Sequence, residues 1–252
     1  MGKFIWYDLM VPDVQAAADF YSHVVGWRTT DSGMPGMDYR ILNAGDVMVG
    51  GLMGMQSAAP GAKPMWNGHI HVDDVDAAAA KAEKLGGRIC QAGKDIPGIG
   101  RFAVIADPSD ATFIIFKPNG SETPKEVADG TPGHIGWREL HSGDWQRAWT
   151  FYEGLFGWSK AAAMDMGPMG TYQQFKSGDK LLGGMMTKRP DDPSPPHWNY
   201  YFNVDGIVAA MGRAKAKGAN ILFEPMQVPG GSWIIMALDP QGVSFCLLSA
   251  KK

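Results

Sequence analysis

Cysteine is nearly missing from this chain: Cys90 and Cys246 are the only two in 252 residues, and they stand far apart. That argues against a disulfide-stapled scaffold and suits a reducing compartment, so the cytoplasm is the expected location. No run of ~18 apolar residues occurs, so no membrane-spanning helix is expected. The opening M-G-K-F-I-W-Y-D leads into no long apolar stretch, which points to no signal peptide. Clusters of Lys and Arg are also absent, and the formal net charge is −3. Nucleic acid and membrane are therefore not expected as partners. No Ser-His-Asp arrangement or reactive-Cys context is readable, and Gly98-Ile99-Gly100 lacks the spacing of a dinucleotide-binding loop. What remains, at 45% hydrophobic and 19% charged residues, is the composition of a soluble globular protein.

The chain does possess a long internal repeat. Trp6–Trp27 returns 131 residues on as Trp137–Trp158 without a gap, and nine of the 22 positions are identical, among them Trp6/Trp137, Leu9/Leu140, Asp13/Asp144, Phe20/Phe151, Tyr21/Tyr152 and Trp27/Trp158. That agreement decides for two domains of ordinary size, each long enough to bury its own core.

Within the first half the pattern repeats again. Residues 4–11 alternate as a strand, Pro12 stops it, and Asp13 is placed to cap a helix over 14–24 that Gly26 ends. Strands are predicted near 27–30, 39–44 and 47–55, followed by a linker at 57–65. The same order restarts with a strand at 67–72, a helix opened by Asp74 and ended by Gly86-Gly87, and strands near 88–92, 100–106 and 112–117. In the second half, strands are predicted at 137–141, 172–175, 181–187, 199–204, 232–238 and 244–248, with helices at 144–156 and 207–217. Asp107-Pro108 and Asp239-Pro240 make matching turns before the last strand of each half.

Four strand–helix–three-strand units in a row resemble the vicinal oxygen chelate superfamily, the glyoxalase / bleomycin-resistance / extradiol-dioxygenase group. The resemblance rests on the repeated D-V/W-x-x-A…F-Y-x-x-x-x-G-W block, the Gly50–Met53 and Gly183–Met186 segments (G-G-L-M and G-G-M-M) and the two D-P turns. It implies an α+β fold: four βαβββ units forming two tandem domains, each a curved mixed sheet with helices outside and a ligand on the concave face. The domains would span residues 1–118 and 134–252, with a linker at 119–133.

Members of that superfamily that use a metal take His, Gln or Glu ligands from the first strand of each unit and from last strands. Counting from the Phe-Tyr pair, those positions fall here on Trp6, Asn67 and Ile114, and on Trp137, Asn199 and Cys246. These side chains do not make a transition-metal first shell, so no metal or other cofactor is expected. The alternative is a divalent metal held by His69, His71 and Asp8, since two His at i and i+2 of one strand reach one ion.

Strand alternation places Trp6, Asp8, Asn67, His69, His71, Ile114 and Phe116 on one face of the first half. The matching face of the second half carries Trp137, Glu139, His141, Asn199, Tyr201, Asn203, Cys246 and Leu248. Asp8 and Glu139 stand at equivalent positions and are the candidate catalytic carboxylates, acting as bases or acceptors for a ligand N–H or O–H. Trp6 and Trp137 are placed to stack on a planar molecule, and Asn67, His69, His71, Phe116, His141, Asn199 and Tyr201 complete the candidate ligand-binding set. Mostly apolar clefts with a few placed polar groups suit a small organic ligand. The expected function is binding of an aromatic or amphipathic molecule, as a monomer or homodimer. A glyoxalase-like lyase, or an isomerase, hydroxylase-like enzyme or dioxygenase, using Asp8/Glu139 or an atypical metal, is the alternative. The Gly- and Met-containing loops at 31–38 and 163–170 correspond in the two halves and read either as lids or as ordinary loop packing.

Overall fold

Two of the four helices among the described residues begin at the starts expected from the sequence, Asp13 and Asp74, and a third, expected over 144–156, begins just after Asp144, which caps it. In the computed structural model, which describes residues 1–34, 36–57, 62–120 and 127–252, Asp13 accepts Ala16 N–H at 2.9 Å to open α1 (Val14–Val25). Asp74 accepts from Ala77 N–H at 2.9 Å to open α2 (Val75–Lys84), and Asp144 accepts from Gln146 N–H at 2.9 Å to open α3 (Trp145–Phe156). Each carboxylate satisfies backbone donors that a first helical turn leaves unpaired. Gly26 and Gly157 then end α1 and α3 in the left-handed conformation, at φ 88° and 70°. The last helix, α4 (Ile207–Ala216), starts at Gly206 without a side-chain cap.

Among the described residues the strands fall into two open, mixed sheets of eight. The first is built from β1 (Phe4–Val11), β2 (Arg28–Asp31), β3 (Tyr39–Ala44), β4 (Val47–Gly54), β5 (Met65–His71), β6 (Arg88–Ile96), β7 (Gly100–Ala106) and β8 (Thr112–Pro118), in the order β2-β3-β4-β1-β5-β8-β7-β6. The second repeats that order with β9 (Ile135–Ser142), β10 (Ser159–Asp165), β11 (Thr171–Ser177), β12 (Lys180–Thr187), β13 (His197–Asn203), β14 (Asn220–Gln227), β15 (Trp233–Leu238) and β16 (Ser244–Ser249). Pairing is parallel where β1 meets β4 and where β9 meets β12, and antiparallel along the outer hairpins. The α+β reading, with its four βαβββ units, is what the backbone shows.

Two edge strands are additions to the pattern read from sequence. The β10 stretch S-K-A-A-A-M-D is dominated by alanine, a poor strand former, and holds its place by pairing with β11 around a bulge between Lys160 and Ala163. The β14 stretch contains Pro225, which fits only an edge or a bulged strand, and its pairing with β15 is interrupted twice. Part of the expected 163–170 loop is therefore strand, followed by a single 3-10 turn at Gly167–Met169. The expected 31–38 loop contains Pro35, and the linkers at 57–65 and 119–133 contain residues 58–61 and 121–126. Those residues lie outside the described ones.

Packing divides the chain into two compact units. One comprises Met1–Ile5, Asn67–Pro124 and Arg138–Trp198; the other comprises Trp6–Trp66, Lys125–Trp137 and Asn199–Lys252. In the unit containing Trp6–Trp66, α1 packs on α4, and a cluster of aromatic rings fills the interior: Tyr21, Trp27, Trp66, Phe202 and Phe245 meet at centroid separations of 4.9–6.4 Å. Within it, Trp66 Nε1–H donates to Tyr21 Oη at 3.2 Å, and Tyr21 O–H donates to Asp239 Oδ2 at 3.1 Å. Asp239 Oδ1 accepts the N–H groups of Gln241 and Val243, both at 2.9 Å, and so closes the D-P turn.

The other unit builds the same core from the other copies of these residues. There α2 packs on α3. Trp198 Nε1–H donates to Tyr152 Oη at 3.0 Å, Tyr152 O–H donates to Asp107 Oδ2 at 3.3 Å, and Asp107 Oδ1 accepts from Ser109 and Ala111 N–H at 2.7 and 3.0 Å. Each Phe-Tyr pair of the repeat thus ties its helix to the D-P turn of the opposite sequence half. Burial raises both carboxyls above the usual range, against the hydrogen bonds that lower them.

Candidate functional site

Strand β1 sends Leu9 and Val11, both fully buried, to one face and Trp6 and Asp8 to the other. Asp8 is itself buried, and its Oδ1 accepts two hydrogen bonds, from Trp6 Nε1–H at 2.9 Å and from Tyr39 O–H at 2.7 Å. Trp6 Nε1 also lies 2.8 Å from Tyr39 Oη. Burial first, then the negative charge of Asp8, holds the Tyr39 phenol far above its ordinary pKa, so the hydroxyl stays a donor.

The paired glycines of β4 explain how a tyrosine reaches that carboxylate. Gly50 lies so close to the Tyr7 carbonyl of β1 that a Cβ there would fall well inside van der Waals distance of backbone. Gly51 stands in register beside Asp8, and a Cβ on it would occupy the space of the Tyr39 ring. One glycine allows the parallel strands to approach, and the next leaves room for a ring lying across β4 toward the acid.

In the Arg138–Trp198 segment the same arrangement recurs with a longer acid. Gly183 approaches the Arg138 carbonyl, Gly184 pairs with Glu139 and leaves room for the Tyr172 ring, and Tyr172 O–H donates to Glu139 Oε2 at 2.8 Å. Glu139 Oε1 lies 2.7 Å from His141 Nε2. Burial lowers the His141 pKa, but the hydrogen bond and charge of Glu139, with the charge of Asp192, outweigh burial and the nearby Lys188, and the net shift is upward. A raised His pKa contributes stability that is fully present below the unfolded value, about 6.5, and is lost as pH rises through the folded value. Glu139→Gln should therefore move the His141 titration to lower pH in an NMR titration of the imidazole protons. An unmoved titration would show that Glu139 is not its partner.

The remaining sequence candidates divide between the units. Asn67, His69, His71 and Phe116 belong with β5 and β8: Asn67 accepts from Thr112 Oγ1 at 3.4 Å, and buried His69 packs on Phe116 at 5.8 Å between ring centroids. His71, half-buried at the strand end, has its pKa lowered, chiefly by burial. Trp137, Asn199, Tyr201 and Cys246 belong to the other unit. Tyr201, Ile234 and Cys246 form a buried cluster on which Trp137, Met236 and Leu248 pack. Asn199 is buried, and its Nδ2 has no hydrogen-bond partner there. Sequence reasoning missed Tyr39 and Tyr172, although they lie 133 residues apart, the same offset as Gly51 and Gly184.

The donor sets at the superfamily's metal-ligand positions do not fit a metal. Trp6 Nε1 carries a hydrogen and spends it on Asp8 and Tyr39, Ile114 has no donor atom, and Trp137 packs on an apolar cluster. Among the described residues, no group of three or more His, Cys, Asp and Glu side chains is placed to hold an ion. No helix among them is long and apolar enough to cross a membrane.

The profile of the Glyoxalase/Bleomycin resistance protein/Dioxygenase superfamily matches residues 132–247, and that of the Glyoxalase-like domain matches residues 5–116. The chain belongs to this superfamily, one copy in each sequence half. It is 32% identical over 249 residues, 96% of its own length and 93% of the relative's, to a Mycobacterium tuberculosis protein named "Putative glyoxylase CFP32". It is also 31% identical over 265 residues to anthracycline biosynthesis protein DnrV of Streptomyces peucetius, covering all of this chain and 94% of that one. Among solved structures, the Mn(II)-bound glyoxalase from Novosphingobium aromaticivorans superposes with a TM-score of 0.67 at 18% identity, over 100% of this chain and 83% of that one. An extradiol ring-cleaving dioxygenase from B. fuscum gives 0.67 at 16%, over 100% and 72%. At these identities the structures establish the fold alone.

Proposed function

We propose that the protein binds a small aromatic or amphipathic molecule through its carboxylate–tyrosine pairs, without a metal at the superfamily's usual positions. The observation that carries this reading is the recurrence of one device in both halves: Tyr39 O–H on Asp8 and Tyr172 O–H on Glu139, each ring given space by a glycine on the paired strand. Such a pair offers a fixed acceptor for a ligand O–H or N–H, and Trp6 adds an aromatic face beside Asp8. The relationship to an anthracycline biosynthesis protein adds support for a planar, oxygenated ligand.

Titration of tryptophan fluorescence with 1,4-dihydroxyanthraquinone tests the reading. Saturable quenching is expected, and Asp8→Asn combined with Glu139→Gln should weaken affinity by about tenfold, the loss of one charge-assisted hydrogen bond. Unchanged affinity in that double variant would remove both carboxylates from the site.

A further inference from the structure

Histidine changes charge near neutral pH, and two imidazoles whose surroundings push them in opposite directions make an acid and a base. Within the Arg138–Trp198 segment, the rings of His141 and His197 lie with centroids 5.2 Å apart. Glu139 holds His141 Nε2 at 2.7 Å, and Tyr172 steadies Glu139 from its other oxygen. His197 is held differently: its Nδ1 lies 2.8 Å from the Pro195 carbonyl, so in the neutral ring Nδ1 carries the hydrogen and Nε2 is the basic nitrogen. Burial, then the charge on His141, keeps the His197 pKa low against the Pro195 hydrogen bond and the charges of Asp192 and Glu139. His141 is shifted upward by Glu139 and Asp192 against burial and Lys188. The first sequence half has Met10 and Met65 at the matching strand positions, so this pair exists once in the chain.

We propose that His141 and His197 form a proton-transfer site, His141 as acid and His197 Nε2 as base, acting on an enolisable carbonyl compound. The inference rests on the binding reading above and adds chemistry to the second half alone. His197 Nε2 takes a proton from the carbon next to the carbonyl. The C–H electron pair becomes the C=C bond of an enol, the carbonyl π pair moves onto oxygen, and that oxygen takes the Nδ1 proton of His141. Return of the protons, to the same or a conjugated carbon, gives exchange or a displaced double bond and restores both imidazoles. No oxidant or reductant enters. Glu139 and Tyr172 act as positioning residues.

The experiment follows exchange of the C1 protons of 2-tetralone in deuterated buffer by NMR, using the full chain, with tryptophan quenching by the same probe recorded alongside. Expected is a bell-shaped pH profile straddling about 6.5, because His197 must be neutral while His141 is charged. His141→Gln and His197→Gln should each slow exchange by about 100-fold, and Glu139→Gln should move the alkaline limb to lower pH. Wild-type exchange no faster than that of a folded His197→Gln variant overturns the proposal. If quenching persists in that case, proton transfer falls and binding stands; if quenching is also absent, both fall.

Discussion

Gly183→Ala should destabilise the compact unit that contains Arg138–Trp198 by about 3 kcal/mol or more, because the new Cβ meets the Arg138 carbonyl, which is backbone and cannot rotate away. The parallel register between β9 and β12, from Gly183↔Arg138 to Thr187↔Ser142, would have to open to admit it. Gly178→Ala is the useful comparison. It sits in a turn at φ 58° with nothing near its missing Cβ, so its cost is the conformational one of roughly 1 kcal/mol. Urea unfolding at constant slope measures the difference. Equal midpoints for the two variants would show that close strand approach is not what the first glycine of the pair provides.

Asp239→Ala is expected to be as damaging, for an electrostatic reason. The substitution strands three donors at once: the N–H groups of Gln241 and Val243, and the buried Tyr21 hydroxyl. At about 1–3 kcal/mol for each unsatisfied buried group, a loss of roughly 3 kcal/mol or more follows. Its pH dependence has a definite sign. Burial holds the folded carboxyl above its unfolded value, so ionisation opposes folding: the benefit of the protonated form is complete below about pH 3.9 and is lost as pH rises through the folded value. Wild-type stability measured against Asp239→Asn should therefore decline with rising pH across that window. A difference that grows instead would mean the carboxylate is favoured in the core.

Much of this fold was legible because the repeat exposes it. The Asp13 and Asp74 helix starts and the Gly26 stop follow from local rules and appear where those rules put them. The edge strands β10 and β14 were not legible, since alanine and Pro225 argue locally against strand and only pairing with a neighbour overrides them. The candidate site was half legible. Alternation along β1 and β9 found Asp8 and Glu139, but their tyrosine partners come from β3 and β11, which a reading of single strands does not connect. The Gly-Gly pairs held that information as a missing volume. His197 carried no local signal, and its relation to His141 exists only in the folded chain.

The most direct test of the account is a titration of wild-type protein with 1,4-dihydroxyanthraquinone before and after exhaustive dialysis against EDTA, with metal content determined on both samples. Saturable tryptophan quenching with the same Kd in both is expected if, as proposed, the Asp8–Tyr39 and Glu139–Tyr172 pairs hold the ligand without an ion. Quenching that disappears with a stoichiometric metal and returns when the metal is restored would contradict it.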